Sequence, residues 1–202
     1  MPLAGRFDVS RESLAKLEIH VALVLEWQTR INLVAPSTLP EIWTRHIADS
    51  LRLIEHLPRT PGAIADLGSG AGFPGLALAI ATGRRTHLVE SNGKKAAFLS
   101  EAVRRTGANA VVHRGRIEAM AWRGIGDPIA AVTARALAPL TKLLDYAEPL
   151  IAKGAIGLFL KGRDIESELT GAAKSWRLRY EVFRSAADSG GAVLTVSEAK
   201  RV

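Results

Sequence analysis

A glycine-rich loop with acids near it is the part of the sequence with the clearest chemical character. The segment AIADLGSGAGFPG places Gly68, Gly70 and Gly72 at alternating positions just after Asp66, and Glu90 follows about twenty residues later. Glycine accepts positive φ angles and lets the backbone approach a ligand closely. The pattern therefore predicts a strand, a tight loop and a helix start that bind a small polar molecule.

Two kinds of nucleotide ligand would suit this loop. Gly70, Gly72 and Gly75 satisfy the G-x-G-x-x-G spacing of dinucleotide-binding proteins, in which a pyrophosphate lies on the loop. A carboxylate at Asp66 would repel a pyrophosphate and attract the amino group of a methionine moiety. We therefore expect S-adenosylmethionine, with Asp66 near its amino group and Glu90 accepting hydrogen bonds from the ribose hydroxyls. The alternative for Glu90 is an exposed acid at a helix start.

The composition limits the possible chemistry. The chain has 202 residues, of which 48% are hydrophobic, enough for one α/β domain with a helical extension. It has no cysteine, which excludes disulfides, thiolate metal sites and cysteine nucleophiles, and we expect no metal. There is no signal peptide pattern and no apolar run long enough to span a membrane. We expect a cytoplasmic monomer without a membrane partner.

The positive charge is concentrated in one part of the chain. The net charge is +7, and residues 84–123 contain nine Lys or Arg against three acids. A localised excess of this kind favours a nucleic acid as the partner. Candidates for contact with an RNA backbone are Lys94, Arg116 and Lys161, and the alternative for each is ordinary surface charge.

Strands alternate with helices through most of the chain, which predicts a parallel, doubly wound α/β sheet. The predicted parallel strands cover residues 63–66, 86–90, 109–114, 129–135 and 155–161, with helices after the loop and over residues 94–105 and 139–152. Residues 176–184 and 192–198 alternate like an antiparallel pair, joined by a loop that contains Gly190 and Gly191. The sheet should therefore have seven strands and end in an antiparallel hairpin.

Two helices are predicted ahead of the sheet. Apolar residues at helical spacing predict a helix over residues 10–29 with Ser10 as its N-cap. A second helix should start after Pro40 and bury its apolar stripe. We therefore divide the chain into an N-terminal helical cap, residues 1–60, and an α/β domain, residues 61–202.

This architecture resembles the class I S-adenosylmethionine-dependent methyltransferases, a Rossmann-like fold. The sequence also resembles the glucose-inhibited division protein B family, the bacterial 16S rRNA guanine-N7 methyltransferases that act on position 527. The segments that carry the resemblance follow in the family's order: NLVAP, RHIADSL, DLGSGAGFPG, SNGKKAAFL, RIE, ARALAPL and LKG. Departures are small, such as Glu90 where the family often has Asp.

The resemblance implies cofactor contacts at Gly68, Phe73, Ile117, Glu118 and Arg135. It also implies 16S rRNA, free or within a small ribosomal subunit precursor, as the partner.

Arg135 is the first candidate for a residue at the reaction centre, because it ends the fourth predicted strand, where active sites of this fold open. It could hold the methionine carboxylate, a phosphate or the guanine O6 edge, and the alternative is a structural salt bridge. Arg45, His46 and Asp49 lie in the second helix and could face the cofactor. For the histidine, packing is the simpler explanation.

The predicted reaction agrees with what the sequence lacks. Guanine N7 has a free lone pair, so its methylation needs alignment and not a general base. There is no [DNS]-P-P-[YF] motif for an exocyclic amine and no cysteine for attack on a pyrimidine. A nicotinamide-dependent oxidoreductase is one alternative, but Tyr146 and Tyr180 lack the lysine of a Tyr-x-x-x-Lys pair. A non-catalytic RNA-binding protein on the same fold is the other.

Overall fold

The fold is built on one mixed β-sheet. The computed structural model of the chain describes Phe7, residues 9–184 and residues 191–202. In these ranges the sheet has seven strands: β1 (Ala63–Leu67), β2 (Thr86–Glu90), β3 (Ala110–Arg114), β4 (Ile129–Arg135), β5 (Ile156–Lys161), β6 (Trp176–Arg184) and β7 (Ala192–Arg201).

The strand order is β3-β2-β1-β4-β5-β7-β6. The first five strands run parallel, β7 is antiparallel to β5, and β6 is antiparallel to β7. This topology confirms the predicted α/β class and the terminal antiparallel pair. Gly190, which was expected in the hairpin loop, lies outside the described residues.

Helices cover both faces of the sheet, which is why β1 and β2 are buried along their whole length. The described α-helices are α1 (Arg11–Gln28), α2 (Asp49–Leu51), α3 (Gly75–Thr82), α4 (Gly93–Thr106), α5 (Leu140–Ile151) and α6 (Ile165–Ala172). α1, α3 and α4 share one hydrophobic core, and α5 and α6 share another on the opposite face. No helix in the described ranges combines the length and hydrophobicity that crossing a membrane requires.

The predicted second helix is a run of short helical turns and not one α-helix. It consists of a 3-10 turn (Pro36–Glu41), a π turn (Trp43–Ala48), α2 and a second 3-10 turn (Arg52–His56). Pro36 and Pro40 lie in the first of these turns, ahead of the π turn. The apolar stripe is nevertheless buried, as predicted. π turns occur often at functional sites, and this one carries Arg45 and His46.

α6 was not predicted. It has eight residues and begins with the acids Glu166 and Glu168 in its first turn. A helix this short carries too few apolar positions for a clear periodic signal.

α1 is packed into the core of the α/β fold. Its residue Leu17 is fully buried, and Leu76 of α3 and Phe98 of α4 belong to the same hydrophobic cluster. The domain boundary near residue 60 stays a prediction.

Substitution in α1 should therefore destabilise the whole fold. We expect Leu17→Ala to lower the free energy of unfolding by about 2–5 kcal/mol, because a buried leucine leaves a cavity. Leu25→Ala on the same helix, where the side chain is 47% exposed, should cost less than about 0.5 kcal/mol. Chemical denaturation monitored by circular dichroism measures both. Equal effects of the two variants would mean that α1 contributes little to the core.

Candidate active site

The glycine-rich loop lies close against the chain that follows β4. Gly68 has φ 68°, and a Cβ there would lie 2.5 Å from Cδ1 of Leu137. Gly75, at the start of α3, faces Asp66 so closely that a Cβ would be 2.5 Å from its carboxyl group. The left-handed backbone favours glycine at position 68, and the lack of space beside Asp66 favours glycine at position 75.

The amide groups of the loop bind other parts of the protein. Gly70 N–H donates to Oε2 of Glu90 at 2.9 Å. Ser69 N–H donates to the Val89 carbonyl at 3.0 Å, and Gly72 N–H donates to the Ser69 carbonyl at 2.7 Å. A pyrophosphate needs free amides in such a loop. These bonds therefore disfavour the dinucleotide interpretation.

Glu90 connects the loop to the start of α4. Its Oε1 accepts a hydrogen bond from Asn92 N–H at 2.7 Å, while Oε2 accepts the one from Gly70. The side chain is buried except for a surface that lines a pocket. Each carboxylate oxygen has a second lone pair, so Glu90 can still accept bonds from two hydroxyl groups.

We call this cavity the loop pocket. It has a volume of about 250 Å³ and lies between the glycine loop, the end of β2 and the segment after β3. It brings together five residues that the sequence analysis selected: Gly68, Gly70, Glu90, Ile117 and Glu118. Arg116 also lines it, as do Lys95 and Tyr146, which the sequence analysis had not selected for this site.

Glu118 is an exposed acid at the rim of the loop pocket. A hydrogen bond from its own backbone N–H lowers the pKa of Glu118, and the Tyr146 hydroxyl and the cations Lys142 and Arg116 lower it further. The carboxylate is therefore ionised at neutral pH. Together with Glu90 it gives the pocket two hydrogen-bond acceptors.

Asp66 lies beneath the loop and does not line the pocket. It is fully buried, and Oδ1 accepts a hydrogen bond from the Thr133 hydroxyl on β4 at 2.6 Å. Oδ2 has no hydrogen-bond partner among the described residues. Burial raises the pKa of Asp66 to about 6, against the effect of the Thr133 bond. Its predicted contact with the amino group of a ligand stays a prediction.

Gly72 and Phe73 lie on the side of the loop that faces the N-terminal helices. The Phe73 ring is 4.8 Å from the ring of His20 and 5.1 Å from that of His46, centroid to centroid. A Cβ on Gly72 would be 3.0 Å from His20 Nε2. Neither residue lines the loop pocket, and their cofactor contacts stay predictions.

Both histidines beside Phe73 are neutral at physiological pH. Burial lowers the pKa of His20 to about 4, and its Nε2–H donates to the Ala71 carbonyl at 2.8 Å. Burial lowers the pKa of His46 to about 3, and the positive charges of Arg135 and Arg45 contribute to this shift. His46 Nε2 lies 2.8 Å from the Thr38 hydroxyl. These residues support the loop by packing, as the simpler explanation for His46 predicted.

A second cavity, which we call the arginine pocket, lies beside the first. Its volume is about 590 Å³, and its lining includes Arg45, Asp49, Arg52, Arg135 and Lys161. Nη1 of Arg135 is buried with no hydrogen-bond partner among the described residues. Burial lowers the pKa of Arg135, Asp49 opposes this effect and Arg45 adds to it. Arg135 is half-buried, and its unpartnered Nη1 favours an acceptor group close to the side chain.

Lys161 is an internal residue of the arginine pocket and not a surface cation. Its Nζ lies 2.6 Å from Glu168 Oε2 and donates to the Ala138 carbonyl at 3.3 Å. Glu168 also accepts a hydrogen bond from Leu140 N–H at 2.7 Å. Glu168 could not be selected from the sequence because its helix, α6, was not predicted.

The two pockets share one wall, formed by Ala136 and Leu137. Ala136 has φ 50°, a left-handed conformation that costs a non-glycine residue about 1–2 kcal/mol. Leu137 fills the space beside Gly68. Two ligands bound in the two pockets would therefore meet at this wall.

The remaining RNA candidates lie on the surface nearby. Lys94 is exposed in the first turn of α4, and Arg116 is exposed at the rim of the loop pocket. Both are available to a large anionic ligand that approaches the pockets.

Comparisons with known proteins identify a family of similar sequences and a shared fold. The family model for GidB, rRNA small subunit methyltransferase G, matches residues 13–191. The ribosomal RNA small subunit methyltransferase G of Methylobacterium nodulans is 51% identical over 197 residues, covering 94% of this chain and 90% of the relative. That of Rhodospirillum rubrum is 46% identical over 198 residues, covering 98% and 96%. The crystal structure of M. jannaschii TYW2 in complex with AdoMet has a TM-score of 0.57 at 16% identity, covering 79% of this chain and 78% of that one, which indicates a shared fold.

The buried Asp66 should make stability depend on pH. A carboxyl whose pKa is higher in the folded chain favours folding when protonated, so its contribution is fully present below about pH 4 and is lost as the pH rises through about 6. We expect Asp66→Asn to remove this dependence. The difference in unfolding free energy between the variant and the wild type should therefore change by about 1–3 kcal/mol between pH 4 and pH 7.

Urea denaturation at several pH values measures this difference. Asp164→Asn, at an exposed position, is the matched control and should leave the pH dependence as in the wild type. A pH profile of Asp66→Asn that runs parallel to the wild type would contradict the raised pKa.

Proposed function

The chain belongs to the rRNA small subunit methyltransferase G family, and we propose that it methylates N7 of a guanine, position 527, in 16S rRNA. Its methyl donor is S-adenosylmethionine. The observation that supports methyl transfer is the wall of Ala136 and Leu137, which the loop pocket and the arginine pocket share, and the guanine target follows from the family. Transfer of a methyl group between two bound molecules requires two adjoining sites of this kind.

The loop pocket suits the methyl donor. We propose that Glu90 accepts hydrogen bonds from the ribose hydroxyls and that Ile117 and Glu118 hold the adenine, the first by contact and the second by accepting a bond. Gly68 and Gly70 let the ligand approach the backbone. When bound, S-adenosylmethionine supplies a methyl group from its sulfonium sulfur. The sulfur keeps the electron pair of the S–C bond that breaks.

The arginine pocket suits the target base. Guanine N7 attacks with a free lone pair, so the pocket has to orient the base and exclude water but does not have to remove a proton. Burial and the nearby charge of Arg135 lower the pKa of His46 to about 3, so this histidine is a poor base. We propose that Arg135 donates hydrogen bonds to the O6 edge of the guanine. Arg135 lines the arginine pocket, where its guanidinium can meet a ligand.

The rRNA reaches the two pockets from the surface that carries Lys94 and Arg116. We propose that these exposed cations contact RNA phosphates, a type of contact whose strength falls as salt rises. The ion pair of Lys161 with Glu168 gives Lys161 a role in shaping the arginine pocket instead. We further propose a cytoplasmic monomer as the active form, because rRNA is the substrate and one chain contains both pockets.

The alternative functions have less support. In an oxidoreductase the loop amides would be needed for a pyrophosphate, and three of them are bonded within the protein. A non-catalytic RNA-binding protein would have no use for two pockets that share a wall.

The most direct test is the modification state of rRNA. In cells that lack this protein, we expect 16S rRNA without a methyl group on the target guanine N7, detected by mass spectrometry of rRNA fragments. A copy of the wild-type gene should restore the modification, and a copy encoding Arg135→Ala should not. If N7 methylation persists without the protein, the proposed position is wrong.

Two variants should separate the functions of the pockets. Glu90→Gln should weaken S-adenosylmethionine binding about 10- to 100-fold, because it removes a charged acceptor from the loop pocket. Arg135→Ala should change this affinity less than about threefold, yet lower kcat/KM for rRNA at least about 100-fold. Calorimetry and transfer of a labelled methyl group measure the two quantities.

The control for these variants is Arg177→Ala, which removes an exposed arginine. Arg177 lies on β6, an edge strand that is separated from β1 by β4, β5 and β7. It should alter neither quantity. A large loss of cofactor affinity in Arg135→Ala would instead assign Arg135 to the methionine carboxylate.

A further inference from the structure

The carboxylate of Glu168 connects two elements of the fold other than its own helix. Its Oε2 accepts a hydrogen bond from Leu140 N–H at 2.7 Å, and the same oxygen lies 2.6 Å from Lys161 Nζ. Leu140 begins α5 and Lys161 ends β5, whereas Glu168 lies in α6. One oxygen of one side chain therefore ties three elements together.

Both partners of Glu168 act on the chain that runs from β4 to α5. We call this chain, residues 136–139, the connecting segment. Lys161 Nζ donates a hydrogen bond to the Ala138 carbonyl at 3.3 Å, and Leu140 directly follows the segment. Glu168 therefore holds the end of the connecting segment at Leu140 directly and its middle through Lys161.

The connecting segment has a conformation that depends on contacts from outside. Ala136 has φ 50°, which an alanine adopts only where the surrounding structure imposes it. Pro139, the N-cap of α5, gives the helix no side-chain cap bond. Glu168 supplies that missing acceptor to Leu140 N–H, and its negative charge is favourable at a helix N-terminus.

Glu168 is itself held firmly. Ile165 and Leu169, on the same helix, are buried in the hydrophobic core that α6 shares with α5. The side chain of Lys161 is only 8% exposed and that of Glu168 is 26% exposed. The ion pair is therefore shielded from water and salt more than a surface pair would be.

We propose that Glu168 is a positioning residue for methyl transfer, which acts through the wall of Ala136 and Leu137. This inference rests on the proposed function. The wall belongs to the connecting segment and lines both pockets. The alignment of guanine N7 with the methyl group therefore depends on where the segment lies. A displacement of about 1 Å between reacting groups can lower a rate by about 100-fold.

The experiment measures the chemical step separately from binding. Small ribosomal subunits from cells that lack this protein are mixed with saturating enzyme and labelled S-adenosylmethionine, and the single-turnover rate is recorded. Glu168→Ala removes both bonds and should lower this rate at least about tenfold. Glu168→Gln keeps an acceptor for Leu140 N–H and should lose less. S-adenosylmethionine affinity, measured by calorimetry, should stay within about threefold of the wild type, because Glu168 does not line the loop pocket.

A double variant tests whether Lys161 and Glu168 act as one unit. Lys161→Met should lower the single-turnover rate, and its effect should not multiply with that of Glu168→Ala, because both substitutions remove the same tie. The double variant also leaves no cation without its counter-ion, so it tests the inference even where Glu168→Ala is unstable. Losses that multiply would mean that Lys161 acts on the rRNA independently, and would overturn the inference.

Glu166→Gln is the matched control. Glu166 lies on the same helix and forms its ion pair with Arg184 at the surface, where the two side chains are 71% and 57% exposed. This variant should keep the wild-type rate, and urea denaturation should show that all variants are folded under the assay conditions.

Two failures are distinguishable. A full single-turnover rate in Glu168→Ala, or a loss that lies entirely in S-adenosylmethionine affinity, would overturn the inference and leave the proposed function intact. A wild type that transfers no methyl group to the subunits would refute the proposed function itself.

Discussion

The close approach of Gly68 to Leu137 is the contact on which the rest of the site depends. It brings the loop after β1 against the chain after β4, with no space for a Cβ between them. Leu137, together with Ala136, lines both pockets. Without this contact, a ligand at the glycine loop and a ligand at Arg135 would not adjoin. The left-handed conformation of Ala136 is part of the same constraint, since the chain has to turn sharply there.

The residues below the loop serve this geometry without lining either pocket. Asp66 links β1 to β4 through Thr133, and Phe73 packs against two buried, neutral histidines. Gly75 allows α3 to start directly over Asp66. The acid and the aromatic ring of the loop motif therefore have a structural function in this chain, whatever they contact in a complex. A motif can combine residues that touch a ligand with residues that hold those residues in position.

The two pockets differ in electrostatic character, and this difference matches the proposed reaction. The loop pocket contains two acids, Glu90 and Glu118, which suit hydroxyl and amino groups and a cationic donor. The arginine pocket is lined by several cations and several acids, which include Arg45, Arg135, Lys161 and Glu168. Methyl transfer moves positive charge from the first pocket to the second.

The sequence by itself determined the sheet, the glycine loop and the acid Glu90, because strand periodicity and glycine positions are local properties of the chain. The bounds predicted for β2 and β4 agree with the structure. Only the tertiary structure decided that Asp66 lies beneath the loop, that Lys161 is paired with Glu168, and that the helical cap uses a π turn. Those facts depend on packing between segments far apart in the chain, which no local pattern encodes.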